Sequence, residues 1–329
     1  MTQAPFPRSF AMQLIQHVNK NQQTSGVNLG EKRLSGTILE IPWSELQADG
    51  PDTLTTKSLD SALSLWTIGG KQAVVAVKVC PSGHEDYSGV APLSSCPSWL
   101  WSKGVSSASV SHNGQQQEVP IPWQYQFQVY FRQFLQQLAV RYDGNSGIAA
   151  WIMSCGHFCQ ATATYPDQYQ SYKSQTGYTE AQWYAACRET VQDYCAAFTD
   201  SRLWLGVGDG YIQGVPEAQP YDHLTLARRV CPSNVGVGFY YHNLRGGQHW
   251  FSSPYPQLCL DLATQNVPIA LGLDNAMTDS QAFYDTYGPP LATVQNAKAV
   301  GASYLCWYAK DVQAASVQGS EYYQALESL

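Results

Sequence analysis

The sequence lacks the features that would place the chain in a membrane or on nucleic acid. It has no run of 18 apolar residues, so it predicts no membrane span. Its 18 lysines and arginines stand against 25 aspartates and glutamates, which gives a net charge of −7 and no basic patch for phosphates. The first residues also lack the charged-then-apolar pattern of a signal peptide. We leave the location open and slightly favour secretion with a signal peptide removed; the oligomeric state is also left open.

Several catalytic motifs are missing as well. There is no G-x-S-x-G elbow of the serine hydrolases and no Walker P-loop. No glycine-rich phosphate turn follows any predicted strand, which disfavours a doubly wound open sheet, the second fold that we considered. The sequence therefore gives no support to a serine hydrolase or a nucleotide-binding protein, and it calls for no cofactor.

The nine cysteines are an odd number, so at least one has no partner within the chain. Cys80 and Cys96 flank one predicted loop, and a disulfide between them would close it in an oxidising compartment. Cys155 and Cys159 have a possible metal-ligand spacing with His157 between them. No second ligand pair follows at the spacing of a zinc site, so we expect no bound metal.

What the sequence does contain is an alternation of apolar runs and amphipathic segments, which predicts an α/β fold with a parallel sheet. The expected strands are Ala11–Ile15, Gly36–Ile41, Ala73–Val79, Ile148–Ser154, Leu203–Val207, Val235–Tyr241, Val267–Leu271 and Ser303–Tyr308. The expected helices are Leu59–Ile68, Tyr125–Val140, Thr179–Phe198, Asp222–Val230, Pro256–Gln265 and Leu291–Val300. Eight such units fit one (β/α)8 barrel that spans residues 1–329.

The largest insertion in this pattern is Cys80–Pro122, between the third strand and its helix. It is rich in serine, proline and glycine, and it carries Trp99 and Trp101. Long loops within compact domains are usually functional or disordered, and the two tryptophans favour a wall of a substrate cleft. Aromatic residues make up 12% of the chain, which is typical either of a groove that stacks on sugars or of an aromatic-rich core.

In a (β/α)8 barrel the reacting groups lie at the carboxyl ends of the strands. The candidates at those ends are Glu40, Trp43, His157, Gln160, Asp209, Tyr240, Tyr241, His242, Asp274, Trp307 and Asp311. The tyrosines and Trp307 would form the base and wall of a sugar site, or they would pack the barrel. His157 would orient a carboxylate, touch a sugar hydroxyl or be an ordinary loop residue.

Glycoside cleavage requires two carboxyl groups, one as acid and the other as nucleophile or base. Asp274 follows an apolar strand and is a candidate for one of them, with a turn or helix-cap aspartate as the alternative. Gln160 cannot titrate, so it can only donate and accept hydrogen bonds. Four explanations of Gln160 stay open. It is a deliberate replacement of a catalytic glutamate, the natural loss of one, or an ordinary polar loop residue. In the fourth explanation the acid is another residue, such as Asp209 or Glu40.

Three segments resemble the large retaining clan of (β/α)8 glycoside hydrolases, which includes the cellulase-type and β-galactosidase-type families. Ile41-Pro-Trp-Ser-Glu-Leu46, with the helix and strand after it, is similar to their second strand and its sequel. The second segment consists of Pro97-Ser-Trp-Leu100, the long helix and Arg141-Tyr-Asp-Gly-Asn145, and it leads into the fourth strand. The third segment, Gly301-Ala-Ser-Tyr-Leu-Cys-Trp-Tyr308, is similar to their eighth strand. The resemblance covers roughly Ser35 to Asp311.

The resemblance implies a carbohydrate substrate, a glutamate acid/base after strand 4 and a glutamate nucleophile after strand 7. By position these roles fall on Gln160 and Asp274, and Cys159 replaces the asparagine that often precedes the acid/base. Tyr240 or Tyr241 matches the tyrosine that contacts the nucleophile, and Trp307 matches the tryptophan under the sugar.

The sequence thus predicts a retaining hydrolase of a poly- or oligosaccharide, with glutamine at its acid/base position. One alternative is a catalytically silent barrel that binds carbohydrate. Another is a barrel enzyme of different chemistry that uses Asp209, His157 or His242.

Overall fold

The structure is a computed structural model that describes residues 12–17, 26–79, 95–112, 115–153, 172–207, 218–232, 234–241, 244, 255–273 and 276–329. Ten strands lie within these ranges: β1 (Gln13–His17), β2 (Leu34–Pro42), β3 (Gln72–Lys78), β4 (Ser107–His112), β5 (Gln115–Pro120), β6 (Ile148–Met153), β7 (Leu203–Val207), β8 (Val237–Tyr241), β9 (Ile269–Gly272) and β10 (Tyr304–Tyr308). Eight of them form a closed parallel barrel in the order β1-β10-β9-β8-β7-β6-β3-β2.

Helices follow most of the barrel strands. Their bounds are α1 (Trp43–Leu46), α2 (Lys57–Ile68), α3 (Trp99–Ser102), α4 (Tyr125–Tyr142), α5 (Glu180–Ala197), α6 (Ala218–Val230), α7 (Tyr255–Thr264), α8 (Gln281–Tyr287), α9 (Pro290–Ala299), α10 (Ala309–Ala314) and α11 (Glu321–Glu327). A 3-10 turn covers Met277–Asp279. In the part of the chain that the structure describes, none of the helices is both long and apolar enough to span a bilayer.

The predicted (β/α)8 barrel is confirmed. Each predicted strand overlaps one barrel strand, and each predicted helix overlaps one observed helix. β1 closes the ring because it pairs with β2 on one side and with β10 on the other, where Gln13 is in register with Tyr304. Every strand of a closed ring has two neighbours, so the barrel exposes no sheet edge.

The inside of the barrel is filled by side chains from alternate strand positions, as expected for eight strands. This interior cluster consists of Ile38, Val74, Ala76, Ala150, Ile152, Trp204, Tyr240, Ala270, Tyr304 and Cys306. Glycines make room for its largest rings. A Cβ at Gly238 would lie 2.6 Å from Trp204, and a Cβ at Gly272 would lie 2.7 Å from the Tyr240 hydroxyl. The barrel is therefore a packed core, and it has no open pore through this layer.

A second, larger core lies between the strands and the helices. Trp43, the first residue of α1, stacks on Phe134 with ring centroids 5.1 Å apart and meets Phe131 edge-on at 5.3 Å. α4 contributes these rings because its apolar residues recur at spacings of three and four and so share one face. The burial of these aromatic rings fixes α4 against the outer face of the barrel.

The insertion after β3 has secondary structure that the sequence did not predict. Within its described part, α3 is followed by the antiparallel hairpin β4–β5, in which Ser107 pairs with Pro120. The Tyr172 hydroxyl donates to the Pro120 carbonyl at 3.1 Å and ties the hairpin to residues 172–176, which form a helical turn. The role of the whole segment as a cleft wall stays a prediction.

The cysteines also differ from what spacing alone suggested. Cys195 near the end of α5 and Cys231 just after α6 form a disulfide that joins two successive helices. Sequence spacing does not favour this pair, because the two residues are 36 positions apart and meet only once both helices pack on the barrel. Cys80 lies outside the described residues, so its pairing with Cys96 stays a prediction.

We predict that Gly272→Ala destabilises the barrel by about 1–3 kcal/mol, because the added methyl group overpacks the interior against Tyr240. Chemical denaturation monitored by circular dichroism measures the change. The same substitution should cost less in a Tyr240→Phe background, where the clashing oxygen is gone. An equal cost in both backgrounds would contradict this account.

Candidate functional site at the barrel mouth

The polar groups of interest lie at the carboxyl ends of the barrel strands, which we call the barrel mouth. Glu40 and Lys78 lie near the ends of β2 and β3, where Glu40 is in register with Ala76 and Lys78 with Pro42. Successive side chains of a strand point to opposite faces, so Glu40 shares the inner face of Ile38, and Lys78 shares that of Ala76. Both charged side chains are therefore directed into the barrel.

Glu40 and Lys78 form an ion pair with 2.5 Å between Glu40 Oε2 and Lys78 Nζ. The pair is largely removed from solvent, since only 13% of the Glu40 side chain and 7% of the Lys78 side chain are exposed. The interior cluster beneath it is almost wholly apolar. The apolar interior of the barrel thus ends at this ion pair.

Asp311 occupies a different part of the mouth, in the first turn of α10 directly after β10. It is fully buried and accepts three hydrogen bonds from the 3-10 turn that follows β9. The donors are the backbone amides of Met277 and Thr278, at 3.2 and 3.0 Å, and the Thr278 hydroxyl at 3.0 Å. Asp311 therefore clamps the connection after β9 to the connection after β10.

Burial raises the pKa of Asp311 to about 6, although the hydrogen bonds from Thr278 and Met277 act in the opposite direction. The carboxylate of Asp279 adds to the increase. Asp279 is itself held in an ion pair by Lys310. Asp311 is thus a structural clamp with a perturbed pKa. Its side chain has no exposed surface, and its predicted contact with substrate stays a prediction.

Two tryptophans that were expected to contact a sugar are also assigned to packing. Trp43 and Trp307 are fully buried on the helix side of the barrel wall, where Trp307 meets Tyr322 edge-on at 6.3 Å. Cys306 points into the barrel. Trp307 is the next residue of the same strand, so its ring points to the opposite, outer face. Both rings contribute to the core, and their contact with a sugar stays a prediction.

The other aromatic candidates fall into two places. Tyr240 belongs to the interior cluster and is 1% exposed. Trp99 and Trp101 are partly buried on α3, and the Trp99 indole donates to the Gln47 carbonyl at 2.7 Å. These two remain candidates for a wall of the cleft, because each residue is only partly buried.

Several predicted site residues cannot be placed. His157, Gln160, Asp209, His242 and Asp274 lie outside the described residues, and Tyr241 is described only through its backbone at the end of β8. Their roles, including acid/base and nucleophile, stay predictions. Among the described residues, no group of three or more histidines, cysteines, aspartates and glutamates is placed to hold a metal ion.

Sequence reasoning missed Lys78. The available signal was a single cation in the apolar run Ala73–Val79, at the position that alternation assigns to the inner face. A lysine at a strand end is usually solvated, so only the position of Glu40 on the next strand shows that the charge points inward.

A separate cleft of about 510 Å³ lies between α4 and α5 on the outer layer. Arg132 bridges the two acidic groups there, with 2.6 Å to Glu189 and 2.6 Å to Asp193. Because these carboxylates are engaged by the arginine and lie on the helix layer, we do not place the reaction there.

Comparison with known proteins gives a clear result for the fold. No family model matches the sequence, and no protein with a curated description matches it. The catalytic domain of a β-amylase from Paenibacillus polymyxa superposes with a TM-score of 0.57 at 11% identity, over 90% of this chain and 92% of its own. The xylanase XynB from Paenibacillus barcinonensis gives 0.55 at 9% identity, over 91% and 84%.

A β-galactosidase from Rahnella sp. R3 gives a TM-score of 0.55 at 13% identity, over 93% of this chain. This chain spans only about half of that protein, with 52% of it covered. This chain shares its (β/α)8 barrel fold with these three structures. Identities this low show a shared fold alone, and the family within that fold stays unassigned.

We predict that the raised pKa of Asp311 makes stability depend on pH. The folded chain holds this proton more tightly than the unfolded chain, so the contribution is full below about pH 4 and is lost as the pH rises through 6. Relative to Asp311→Asn, the wild type should lose about 2 kcal/mol of unfolding free energy between pH 4.5 and 7.5. Denaturant titrations at both values measure this difference.

The exposed residue Asp285 on α8 gives a matched control, since Asp285→Asn makes the same change of side chain at the surface. A gain in relative stability for the wild type at pH 7.5 would mean that the three hydrogen bonds outweigh burial at Asp311.

Proposed function

We propose that the chain is a glycoside hydrolase that acts on a poly- or oligosaccharide. The observation that carries the proposal is the closed parallel barrel, whose fold is shared over about nine-tenths of the chain with structures of a β-amylase and a xylanase. The charged groups of the described barrel interior lie at its carboxyl end, where barrels of this kind hold their reacting groups.

The proposed reaction uses two carboxyl groups across the glycosidic bond. Asp274, which follows β9 in the sequence, would attack the anomeric carbon as the leaving oxygen receives a proton. The leaving sugar departs, a glycosyl-enzyme forms, and water attacks that ester with base assistance to release a product of retained configuration. No cofactor takes part.

Position 160 is where the protonating group belongs in this mechanism. The amide of Gln160 has no titratable proton to give, although it can hold the glycosidic oxygen by a hydrogen bond. General acid–base catalysis typically contributes about 10² to 10⁴ in rate. The chain is therefore proposed to bind its glycan and to cleave it weakly or not at all.

Gln160 also favours the second candidate, a barrel that binds carbohydrate without cleaving it. The two candidates differ in what a glutamate at position 160 would do. An enzyme that lacks only its acid should regain activity, whereas a binding protein whose other groups have also diverged should not.

The deciding experiment compares the wild type with Gln160→Glu on a panel of plant, algal and microbial polysaccharides, with products identified by mass spectrometry. We expect the variant to release sugars about 10² to 10⁴ times faster than the wild type. Product anomers read by NMR at early times should show retention.

Gln160→Glu combined with Asp274→Asn is the matched control and should cleave no faster than the wild type, because it lacks the nucleophile. Equal cleavage by the wild type and Gln160→Glu would place the acid elsewhere. Binding without cleavage by any variant would favour the silent barrel, and neither binding nor cleavage would reject both candidates.

A further inference from the structure

The connection that follows β9 is anchored on both sides of residues 274 and 275, which lie outside the described residues. On the strand side, the Gly272 carbonyl accepts a hydrogen bond from the Leu244 amide at 2.7 Å, and Leu273 is buried. On the other side, Ala276 is buried and directly precedes the 3-10 turn. The chain is therefore fixed immediately before and immediately after these two residues.

The 3-10 turn takes its cap from a residue that is distant in the sequence. The first amides of a helical turn have no partner within the turn, and the N-cap residue Ala276 has no side-chain acceptor to offer them. Asp311 supplies the acceptors, since its Oδ2 binds the Met277 amide and its Oδ1 binds the Thr278 amide. A serine or an aspartate at position 276 would satisfy such amides locally, whereas Asp311 comes 34 positions after Met277.

A distant cap adds a fixed position relative to the next strand, which a local cap does not provide. β9 and β10 are neighbours with Gly272 opposite Cys306, and Asp311 lies in the first turn of α10, directly after β10. The bonds to Asp311 therefore hold the turn after β9 against the end of the adjacent strand. The Thr278 hydroxyl makes a third bond to the same carboxylate, so the contact fixes the orientation of the turn as well as its distance.

Under the proposed function this connection carries the nucleophile, because Asp274 comes two residues before Ala276 in the chain. A reacting group has to be held to within about 0.5 Å of its productive position, and residues behind it provide that support. Misplacement by about 1 Å can cost on the order of 100-fold in rate. Asp311 meets the requirements for such a support, since it is fully buried and binds the backbone of the turn directly.

We propose that Asp311 is a positioning residue, which holds the connection after β9, and with it Asp274, in place for attack on the sugar. Asp311 acts through the backbone amides of Met277 and Thr278. This inference rests on the proposed function and adds a residue to the same site.

The test measures kcat and KM in the Gln160→Glu background, which has the acid that the proposed reaction needs, with soluble xylan, amylose and galactan as substrates. Asp311→Asn replaces one acceptor oxygen with a nitrogen that only donates hydrogen bonds. Asp193→Asn is the matched control, because Asp193 is also a buried carboxyl group but lies on α5, where it pairs with Arg132. Thermal unfolding of each variant reports whether it folds.

We expect Asp311→Asn to lower kcat by about 100-fold and to leave KM nearly unchanged, since the substrate still binds while the nucleophile is misplaced. The Asp193→Asn control should keep the kcat of the Gln160→Glu background. If Asp311→Asn leaves kcat unchanged, or if Asp193→Asn lowers it equally, Asp311 is only structural and the inference is wrong.

A second pair of variants tests the clamp from its other side. Thr278→Val removes the hydroxyl group and keeps the branched shape, whereas Thr278→Ser keeps the hydroxyl group. Thr278 is exposed, so both variants should fold, and they decide the question alone if Asp311→Asn does not fold. We expect Thr278→Val to lower kcat by about 10-fold through the loss of one bond to a charged acceptor, and Thr278→Ser to retain it. Equal kcat values for the two variants would contradict the inference.

Failure of the proposed function gives a different pattern of results. If Gln160→Glu cleaves none of these polymers and none of the panel above, the proposed function fails and this inference fails with it. If Gln160→Glu cleaves a polymer and still does so when Asp274→Asn is added, the nucleophile is another residue, and the positioning role of Asp311 is rejected. If only the changes at Asp311 and Thr278 have no effect, the inference alone is rejected.

Discussion

Closure of the eight-stranded ring is the constraint on which the rest of the structure depends. The barrel can close only if its interior is filled without pushing the strands apart. Large aromatic side chains inside it therefore have to lie against glycines. Trp204 lies against Gly238, and Tyr240 lies against Gly272. These two pairings fill the middle of the barrel. A ligand therefore cannot pass through this layer, and chemistry is restricted to the ends of the ring.

The carboxyl end of the ring contains several groups that are costly to bury. Glu40 and Lys78 are charged and nearly enclosed there, and Asp311 is a buried carboxyl group whose pKa is raised to about 6. Each lowers the stability that an apolar residue would give. Asp311 offsets part of that cost through its hydrogen bonds to Thr278, which fix the turn after β9.

The sequence predicted the barrel because hydrophobic periodicity is a local property, and each of the eight strands appears in the sequence as an apolar run. Side-chain direction was less predictable at strand ends, where one residue of shift exchanges the two faces. Trp307 was expected to face the mouth, but the preceding residue, Cys306, is the one that points inward. Lys78 was overlooked because a lysine at a strand end is usually exposed to solvent, whereas this side chain points into the barrel. The Cys195–Cys231 disulfide could not be predicted, since it depends on how two helices pack after the barrel has formed.

The fold and the proposed activity differ in how much error each tolerates. A barrel retains its packing when a residue in the mouth changes, but a catalytic carboxyl group misplaced by about 1 Å can lose on the order of 100-fold in rate. Aspartate at position 274 reaches one methylene less than glutamate, and glutamine at position 160 has no proton to transfer. Glycan binding and hydrolysis therefore have to be measured separately.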